Sequence, residues 1–216
     1  MEKINTDYIL IILNCKKYKN KSIIQKNGWL KSIPDNITYY HIIGDKEKCK
    51  NEDIYIDEND KIIYCNTLDD YNNLPAKVIT TLRGINKYFN YKYIFKTDDD
   101  QKLNKENFFI DFPKLLENKI PKYHYGGHIV NIQNDTLCNY WHIHNCLPKN
   151  NILKATTYAS GRFYFLSKKA VENLITKKEI IEKHYIEDHA IGYHLDSIYK
   201  KNTLNINTCK IFFDNS

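Results

Sequence analysis

The chain has no long hydrophobic run. Its longest uninterrupted apolar stretch covers the six residues 8–13, whereas a helix that spans a bilayer needs about 20. This stretch leads into Asn14 and Cys15 without the small-residue cleavage site of a signal peptide. We therefore expect no membrane anchor, no secretory signal and a cytoplasmic location.

Proline and glycine are scarce, and no segment has the composition of a linker. The 216 residues include 5 Pro and 7 Gly, which are scattered, and no internal repeat is evident. With 42% hydrophobic and 27% charged residues, the chain can bury a substantial core, and its length favours one domain. We expect a single domain over residues 1–216.

The six cysteines lack the paired spacing of a disulfide framework, so we expect free thiols. One segment places Cys138 and Cys146 around His142 and His144, and all four are zinc-ligand types. Structural zinc sites more often draw ligand pairs from separate segments. An alternating strand or a loop that faces the acceptor explains the segment as well, and we favour these interpretations over zinc.

The formal net charge is +6, but no basic stripe is evident. A nucleic-acid groove would combine clustered Lys and Arg with exposed aromatic residues. We interpret the surplus as an ordinary solvated surface and do not expect nucleic acid as a partner. A positive cleft would also attract anionic nucleotide sugars.

Three consecutive carboxylates, Asp98, Asp99 and Asp100, directly follow the apolar and aromatic segment 91–97. On an extended backbone Asp98 and Asp100 point to one side and Asp99 to the other. Hard cations such as Mg²⁺ and Mn²⁺ bind carboxylates together with phosphate oxygens, and ligands bind at the carboxyl ends of strands in open α/β sheets. The cluster predicts a metal site for a diphosphate substrate, and the alternative is a solvated acidic turn.

The segment before these acids predicts a loop and a helix. Val78, Leu82, Ile85 and Phe89 are apolar at helical spacing. We expect Asn73 to be the N-cap of this helix and Pro75 to lie in its first turn. The loop, helix, strand and acids then form one unit.

Together these residues resemble the β-1,3-galactosyltransferases, the N-acetylglucosaminyltransferases and the related fringe enzymes, glycosyltransferase family 31. The family pattern D-x-Y-x-N-L-T-x-K followed by K-T-D-D-D matches Asp69, Tyr71, Asn73, Leu74, Lys77 and residues 96–100, with Pro75 in place of Thr. Downstream, residues 158–167 resemble the family strand Y-x-S-G-x-x-Y-x-L-S, and Glu187 with Asp188 resembles its E-D-V element. Residues 8–13 and 41–44 would be the first two strands.

The resemblance implies a GT-A-type α/β fold, in which helices flank a Rossmann-like nucleotide-binding sheet. Residues 1–100 would bind the nucleotide sugar and residues 101–216 the acceptor. The implied activity is metal-dependent, inverting transfer of a hexose or N-acetylhexosamine from a UDP-sugar to a hydroxyl of a glycan or glycoconjugate acceptor, with a β-linkage. The implied cofactor is a divalent metal, Mn²⁺ or Mg²⁺.

The resemblance also implies roles for individual residues. Asp188 would be the general base, and Glu187 would orient the helix start or the acceptor. Metal binding is expected from Asp98 and Asp100, with Asp214 in the place of a histidine that relatives carry near the C-terminus. Contacts with the donor are expected from Asp69, Lys77, Asp98, Asp99, Ser160 and Gly161.

Backbone features of the site are expected from two glycine-containing segments. Ser160 and Gly161 should form a turn where the backbone approaches the sugar. Residues 125–128 should line the same cleft. We interpret His184 and His194 as surface or core histidines.

Two other functions use the same residues. A catalytically inactive carbohydrate- or nucleotide-binding module could keep the fold, and the presence of Asp188 argues against it. A metal-dependent nuclease or phosphotransferase could use the acid triplet, because two-metal enzymes also cluster carboxylates. The family blocks on both sides of the triplet disfavour that reading.

Overall fold

The structure, a computed structural model, describes residues 2–214. Its strands are β1 (Ile4–Asn5), β2 (Tyr8–Leu13), β3 (Ile37–Gly44), β4 (Ile54–Asp57), β5 (Ile62–Cys65), β6 (Phe89–Asn90), β7 (Tyr93–Asp98), β8 (Gln101–Leu103), β9 (Tyr125–Ile132), β10 (Thr136–Leu137), β11 (Ile152–Leu153), β12 (Thr156–Ser167), β13 (Leu204–Asn205) and β14 (Phe212–Asp214). Its α-helices are α1 (Lys19–Asn27), α2 (Lys46–Cys49), α3 (Leu74–Tyr88), α4 (Phe108–Asn118), α5 (Lys168–Ile175), α6 (Lys178–Ile181), α7 (Glu187–His194) and α8 (Ser197–Lys200). Short 3₁₀ turns occur at Lys16–Tyr18, Trp29–Ser32, Tyr71–Asn73, Tyr140–His142 and Thr208–Lys210.

The main sheet has eight strands in the order β13-β9-β12-β7-β2-β3-β5-β4. The central strands β7, β2, β3 and β5 are parallel, whereas β12 is antiparallel to both β7 and β9. Both predicted halves of the chain contribute strands to this sheet. The predicted strands at residues 8–13 and 41–44 are confirmed as β2 and the end of β3.

Strand β2 is apolar at every position because both of its faces are buried. Ile9 and Ile11 pack with helix α3 and helices α5 and α7 on one face of the sheet. Leu10 and Ile12 pack on the other face with helix α4 and the aromatic residues around Phe163. The period-two alternation of side chains therefore divides the core into two layers.

Helix α3 confirms the predicted apolar face and the position of Pro75 in the first turn. The prediction that the Asn73 side chain caps this helix is wrong. Asn73 occupies the N-cap position but its side chain makes no capping bond to the helix. It donates instead to Asp70, whose carboxylate also accepts from the Asn73 backbone amide at 3.0 Å. Asp70 thus caps the 3₁₀ turn that precedes the helix.

The segment 125–128 does not line a cleft at its two glycines, which corrects the sequence-based expectation. Gly126 and Gly127 are buried in β9. A Cβ on Gly126 would lie 2.4 Å from the Leu204 carbonyl oxygen, and one on Gly127 would lie 2.6 Å from that of Phe163. These glycines allow neighbouring chain segments to pack closely on β9.

The segment with two cysteines and two histidines forms a loop with one 3₁₀ turn rather than an alternating strand. Cys138 is buried beside Leu147, whereas Cys146 is exposed. All six cysteines are free thiols in the structure. His184 and His194 bond to each other through their Nε2 atoms at 2.8 Å. Within residues 2–214, no helix is both long and apolar enough to cross a membrane.

Candidate active site

The predicted acids lie at the carboxyl end of β7, where three elements meet. Strand β12 runs antiparallel to β7, with Phe163 opposite Thr97, so Gly161 lies beside the end of β7. Helix α7 packs against β12 and brings Glu187 and Asp188 in its first turn to the same place. The fold therefore joins the acid triplet and the Glu-Asp pair, which are separated by almost ninety residues of sequence.

Lys96 lies at the centre of this site. It is only 2% exposed, and it shares a strand face with Asp98 because the two are two residues apart. Its Nζ atom lies 2.8 Å from Asp98 Oδ1 and 3.4 Å from Glu187 Oε2. The same amine donates to the Gly161 carbonyl oxygen at 2.6 Å. One ammonium group thus connects the acid triplet, β12 and α7.

Asp188 is half-buried and accepts two backbone hydrogen bonds. Its Oδ2 atom accepts from the Gly161 amide at 2.7 Å, and its Oδ1 atom accepts from the His189 amide at 2.8 Å. Burial raises the pKa of Asp188, whereas the charge of Lys96 and the two amides oppose that rise. The carboxylate is held in a fixed orientation at the start of α7.

Glu187 faces the interior. It is 6% exposed, accepts a hydrogen bond from the Tyr164 hydroxyl and pairs with Lys96. Burial raises the pKa of Glu187, and Lys96 opposes the rise. The predicted role in orienting the acceptor stays a prediction. The contacts of Glu187 position Lys96 and the start of α7.

The first two acids of the triplet have separate partners. Asp98 pairs with Lys96, and Asp99 lies 3.4 Å from Lys21 on α1. Burial raises the pKa of Asp98 to about 6 against the opposing charge of Lys96. Burial also raises the pKa of Asp99 to about 6, with Lys21 opposing. Asp100 contributes to both rises, so the three carboxylates are close enough to repel one another.

Asp100 and Asp214 lie on either side of one amide. The Nε2 atom of Gln101 donates to Asp100 at 2.9 Å and to Asp214 at 2.8 Å. Arg162 reaches both carboxylate oxygens of Asp214 at 2.9 Å. The pairing of β14 with β8 thus brings the predicted C-terminal acid beside the triplet. Among the residues that the structure describes, no three His, Cys, Asp or Glu side chains are grouped closely enough to hold a metal ion.

Asp69 and Lys77 form an ion pair that bonds to the backbone at the ends of β2 and β3. Lys77 is 1% exposed, so it is not the solvated lysine that its position on a helix would suggest. Its amine lies 2.6 Å from Asp69 Oδ1 and donates to the Asn14 carbonyl at 2.9 Å. Asp69 also accepts from the Gly44 amide at 2.9 Å. Contact of this pair with a donor stays a prediction, and the buried amine of Lys77 would act through Asp69.

Ser160 and Gly161 do not form the expected turn. They lie inside β12, where the pairing register with β9 shifts between Ala159 and Tyr164. No glycine among the described residues has a positive φ angle. Gly161 is instead a point of close approach, since a Cβ there would lie 3.3 Å from Lys96 Nζ and 3.4 Å from Asp188 Oδ2.

Several residues of the site were not assigned roles from the sequence. Tyr71 stacks on His144 with ring centroids 3.8 Å apart, which places the 138–147 loop beside the acids. Burial raises the pKa of Tyr71 and of Tyr140, and the charge of Asp188 adds to both rises. The spacing of Lys96 and Asp98 on one strand face would have indicated the lysine, but no local pattern indicates Tyr140.

A cavity of about 560 Å³ lies at the opposite edge of the sheet, around the start of β7 and the end of β12. Its lining includes Lys92, Glu117, His124 and Lys168. Because Tyr93 and Asp98 are the two ends of β7, this cavity is about 17 Å from the acids along the strand. The clustered carboxylates, rather than this cavity, define the candidate active site.

A statistical model of the galactosyltransferase family matches residues 20–203. The match spans all the blocks described above except β2 and Asp214. The chain belongs to the galactosyltransferase family. With the sheet described above, this membership confirms the predicted GT-A-type α/β fold and the predicted class of protein, a glycosyltransferase. No curated protein matches the chain.

Solved structures show distant likeness. The glycosyltransferase GlyE of Streptococcus pneumoniae is 12% identical over 94% of this chain and 46% of GlyE, with a TM-score of 0.46. A glycosyltransferase involved in glycosylation of the major capsid of PBCV-1 is 10% identical over 93% of this chain and 82% of that one, with a TM-score of 0.49. The Francisella tularensis cytidylyltransferase IspD is 12% identical over 93% of this chain and 90% of IspD, with a TM-score of 0.46. This chain spans less than half the length of GlyE.

Proposed function

We propose that the protein is a metal-dependent, inverting glycosyltransferase. It transfers a hexose or N-acetylhexosamine from a UDP-sugar to a hydroxyl group of a glycan or glycoconjugate acceptor and forms a β-linkage. Membership of the galactosyltransferase family supports sugar transfer in general. The donor, the metal and the stereochemistry are the proposed part.

The observation that carries the proposal is the common site of Asp98 and Asp188. Lys96 Nζ lies 2.8 Å from Asp98 and donates to Gly161, whose amide donates to Asp188 at 2.7 Å. The carboxylate that we propose for the donor side and the one that we propose for the acceptor side therefore border one site. A metal-dependent inverting transfer needs ligands that hold the metal on the donor side and a base on the acceptor side.

The oxygen donors are of the type that divalent cations prefer, although in the described part of the chain these carboxylates are not grouped closely enough to hold an ion. At the end of β7, the contacts described above involve six carboxylates, namely Asp98, Asp99, Asp100, Glu187, Asp188 and Asp214, and three basic side chains, namely Lys21, Lys96 and Arg162. The raised pKa values of Asp98 and Asp99 reflect this surplus and their burial. Asp98, Asp100 and Asp214 would hold Mn²⁺ or Mg²⁺ through oxygen ligands. The ion would supply stabilisation of the negative charge on the departing diphosphate.

Asp188 would act as the general base. An acceptor hydroxyl must lose its proton as its oxygen attacks the anomeric carbon, and a carboxylate within hydrogen-bond reach accepts that proton. The bonds from the Gly161 and His189 amides leave each oxygen of Asp188 with further acceptor capacity. Tyr140, which is 44% exposed near Asp188, offers an aromatic ring for contact with the acceptor.

Release of UDP from a panel of UDP-sugars, with and without manganese, tests the proposal. We expect metal-dependent release from at least one donor, slow with water and faster with an acceptor. Release that is equal without metal would contradict the metal dependence. Binding of UDP without any release or transfer would indicate the binding module, and binding of oligonucleotides in preference to UDP would indicate the nuclease or phosphotransferase.

A further inference from the structure

Lys96 is the only side chain described above that contacts both the acid triplet and the Glu-Asp pair. Its amine lies within 3.4 Å of Asp98 and Glu187 and is buried beneath them. It also lies 5.6 Å from the centre of the Tyr164 ring, whose hydroxyl donates to Glu187. A buried ammonium group with charged partners has a fixed position, since moving it would leave charges unpaired.

Gly161 connects this lysine to Asp188. Its carbonyl oxygen accepts from Lys96 at 2.6 Å, and its amide donates to Asp188 at 2.7 Å. The positions that a Cβ would occupy lie within 3.4 Å of both side chains, so the lysine and the aspartate approach the same residue. A Cβ there would be in ordinary contact with Asp188 Oδ2 at 3.4 Å and slightly too close to Lys96 Nζ at 3.3 Å, so Gly161 leaves room for both side chains.

We propose that Lys96 is a positioning residue for Asp188, which it orients through Gly161 and keeps ionised by its positive charge. The inference rests on the proposed function for the role of Asp188 as a base. It adds a residue whose effect on the reaction passes through another residue. Lys96 itself needs no contact with the substrate.

The electrostatics around Asp188 agree with this arrangement. Burial and the charge of Asp98 raise the pKa of Asp188, and the Lys96 charge and the two backbone amides lower it. Other titratable groups that interact with its charge are Glu187, Tyr71, Tyr140, Tyr158, Tyr125 and Tyr164. Burial opposes the charge on Lys96 itself, but Asp98 and Glu187 outweigh burial and raise the pKa of Lys96. The amine of Lys96 has two carboxylate partners, Asp98 at 2.8 Å and Glu187 at 3.4 Å.

The test is a carboxyl titration by ¹³C NMR of ligand-free protein labelled in its aspartates. The variants are Lys96→Met, which removes the charge and keeps the length, and Lys154→Met, whose lysine pairs with exposed Asp135. The Asp188 signal is assigned by its absence from Asp188→Asn. We expect Lys96→Met to raise the titration midpoint of Asp188 by about one unit or more, because a nearby opposite charge shifts a carboxyl group by 1–3 units. Lys154→Met should leave the midpoint unchanged.

An unchanged midpoint in Lys96→Met would overturn the proposal. If that variant does not fold, Lys96→Gln keeps a donor for the Gly161 carbonyl and tests the charge alone, with the same expected and contradicting results. The titration needs no donor, metal or acceptor, so it remains readable even if the proposed function fails. Where transfer is measurable, the acid limb of its pH–rate profile should move to higher pH in Lys96→Met and stay in place in Lys154→Met.

Discussion

Two buried lysines at the same end of the sheet have opposite electrostatic surroundings. Lys77 pairs with one carboxylate, Asp69, and donates to a backbone carbonyl. Lys96 pairs with two carboxylates, Asp98 and Glu187, and also interacts with the charge of Asp188. The first region is balanced in charge, whereas the second has more acids than bases.

The two ion pairs also differ in what they contact. The Asp69 carboxylate also accepts hydrogen bonds from the Gly44 and Lys16 amides. The Lys77 pair therefore links the chain that follows β2 to the end of β3. In the Lys96 region, burial and crowding raise the pKa values of Asp98 and Asp99 to about 6. Uncompensated buried charge destabilises a fold, and such surpluses occur where a ligand or proton is bound.

The largest effect should come from Asp188→Asn. Transfer should fall by about 10²- to 10⁴-fold in turnover, because an amide cannot accept the proton. UDP affinity should stay near that of the parent, although Asn keeps only one of the two oxygens that accept backbone bonds. Steady-state kinetics and calorimetry check the two quantities, with exposed Asp111→Asn as the control. Parental turnover in Asp188→Asn would rule out its role as the base.

Lys77→Met should mainly affect stability. It leaves the carboxylate of Asp69 without its buried partner, which typically destabilises a protein by about 3–5 kcal/mol. Urea unfolding measures the loss, and Lys77→Met combined with Asp69→Asn should recover part of it. Lys154→Met breaks an exposed pair that solvent screens, and it should leave the free energy of unfolding almost unchanged. Equal losses of unfolding free energy in Lys77→Met and Lys154→Met would contradict the claim that the buried pair contributes more stability than the exposed one.

Asp100→Ala should abolish the metal-dependent part of UDP binding, and we expect a loss of at least about tenfold, or 1.4 kcal/mol. Asp98→Ala should weaken binding as well, and Asp99→Ala should do least because its carboxylate faces Lys21. Calorimetry with UDP and manganese measures all three. Parental affinity in Asp100→Ala would show that the triplet is not the metal site.

A third buried base, His41, extends the comparison to a group without a partner. It is 0% exposed, and neither ring nitrogen makes a hydrogen bond. Burial, with a smaller contribution from Lys26, lowers the pKa of His41 from 6.5 to about 3. The unfolded chain therefore binds a proton below about pH 6.5 that the folded chain rejects until about pH 3, so stability falls as the pH falls through this window.

The effect of this histidine should be small near neutral pH. As the pH falls from about 7 to about 5.5, His41 should lower the free energy of unfolding by about 1 kcal/mol. His41→Leu should remove this part of the pH dependence in urea unfolding. Surface His128→Leu is the control. If the free energy of unfolding depends on pH equally in the parent and in His41→Leu, buried His41 is not the cause of this pH dependence.

Local sequence patterns predicted much of the fold and part of the site. Strand β2, helix α3, the acids at the end of β7 and the place of Asp188 in the first turn of α7 follow from periodicity and motif order. The turn expected at Ser160 and Gly161 was wrong because the pairing of β12 with its neighbours extends the strand through a register shift. Such pairing depends on residues far away in sequence.

The same reason explains why the long-range contacts of Lys96 were missed, although its spacing from Asp98 is a local signal. Lys96 belongs to the K-T-D-D-D motif, but its contacts with Gly161 and Glu187 are 65 and 91 residues away. Lys77 was expected to contact the donor, and its pairing with Asp69 could not be read from the spacing of helix α3. Long-range ion pairs leave no periodic signal in the sequence.

The central claim is that Asp188 acts as the base of a single-displacement transfer with inversion. Its most direct test is the anomeric configuration of the product, measured by ¹H NMR with an α-linked UDP-sugar and the acceptor that gives transfer. A single displacement predicts a β-linked product. An α-linked product would contradict the account, because it would require retention and therefore a different role for Asp188.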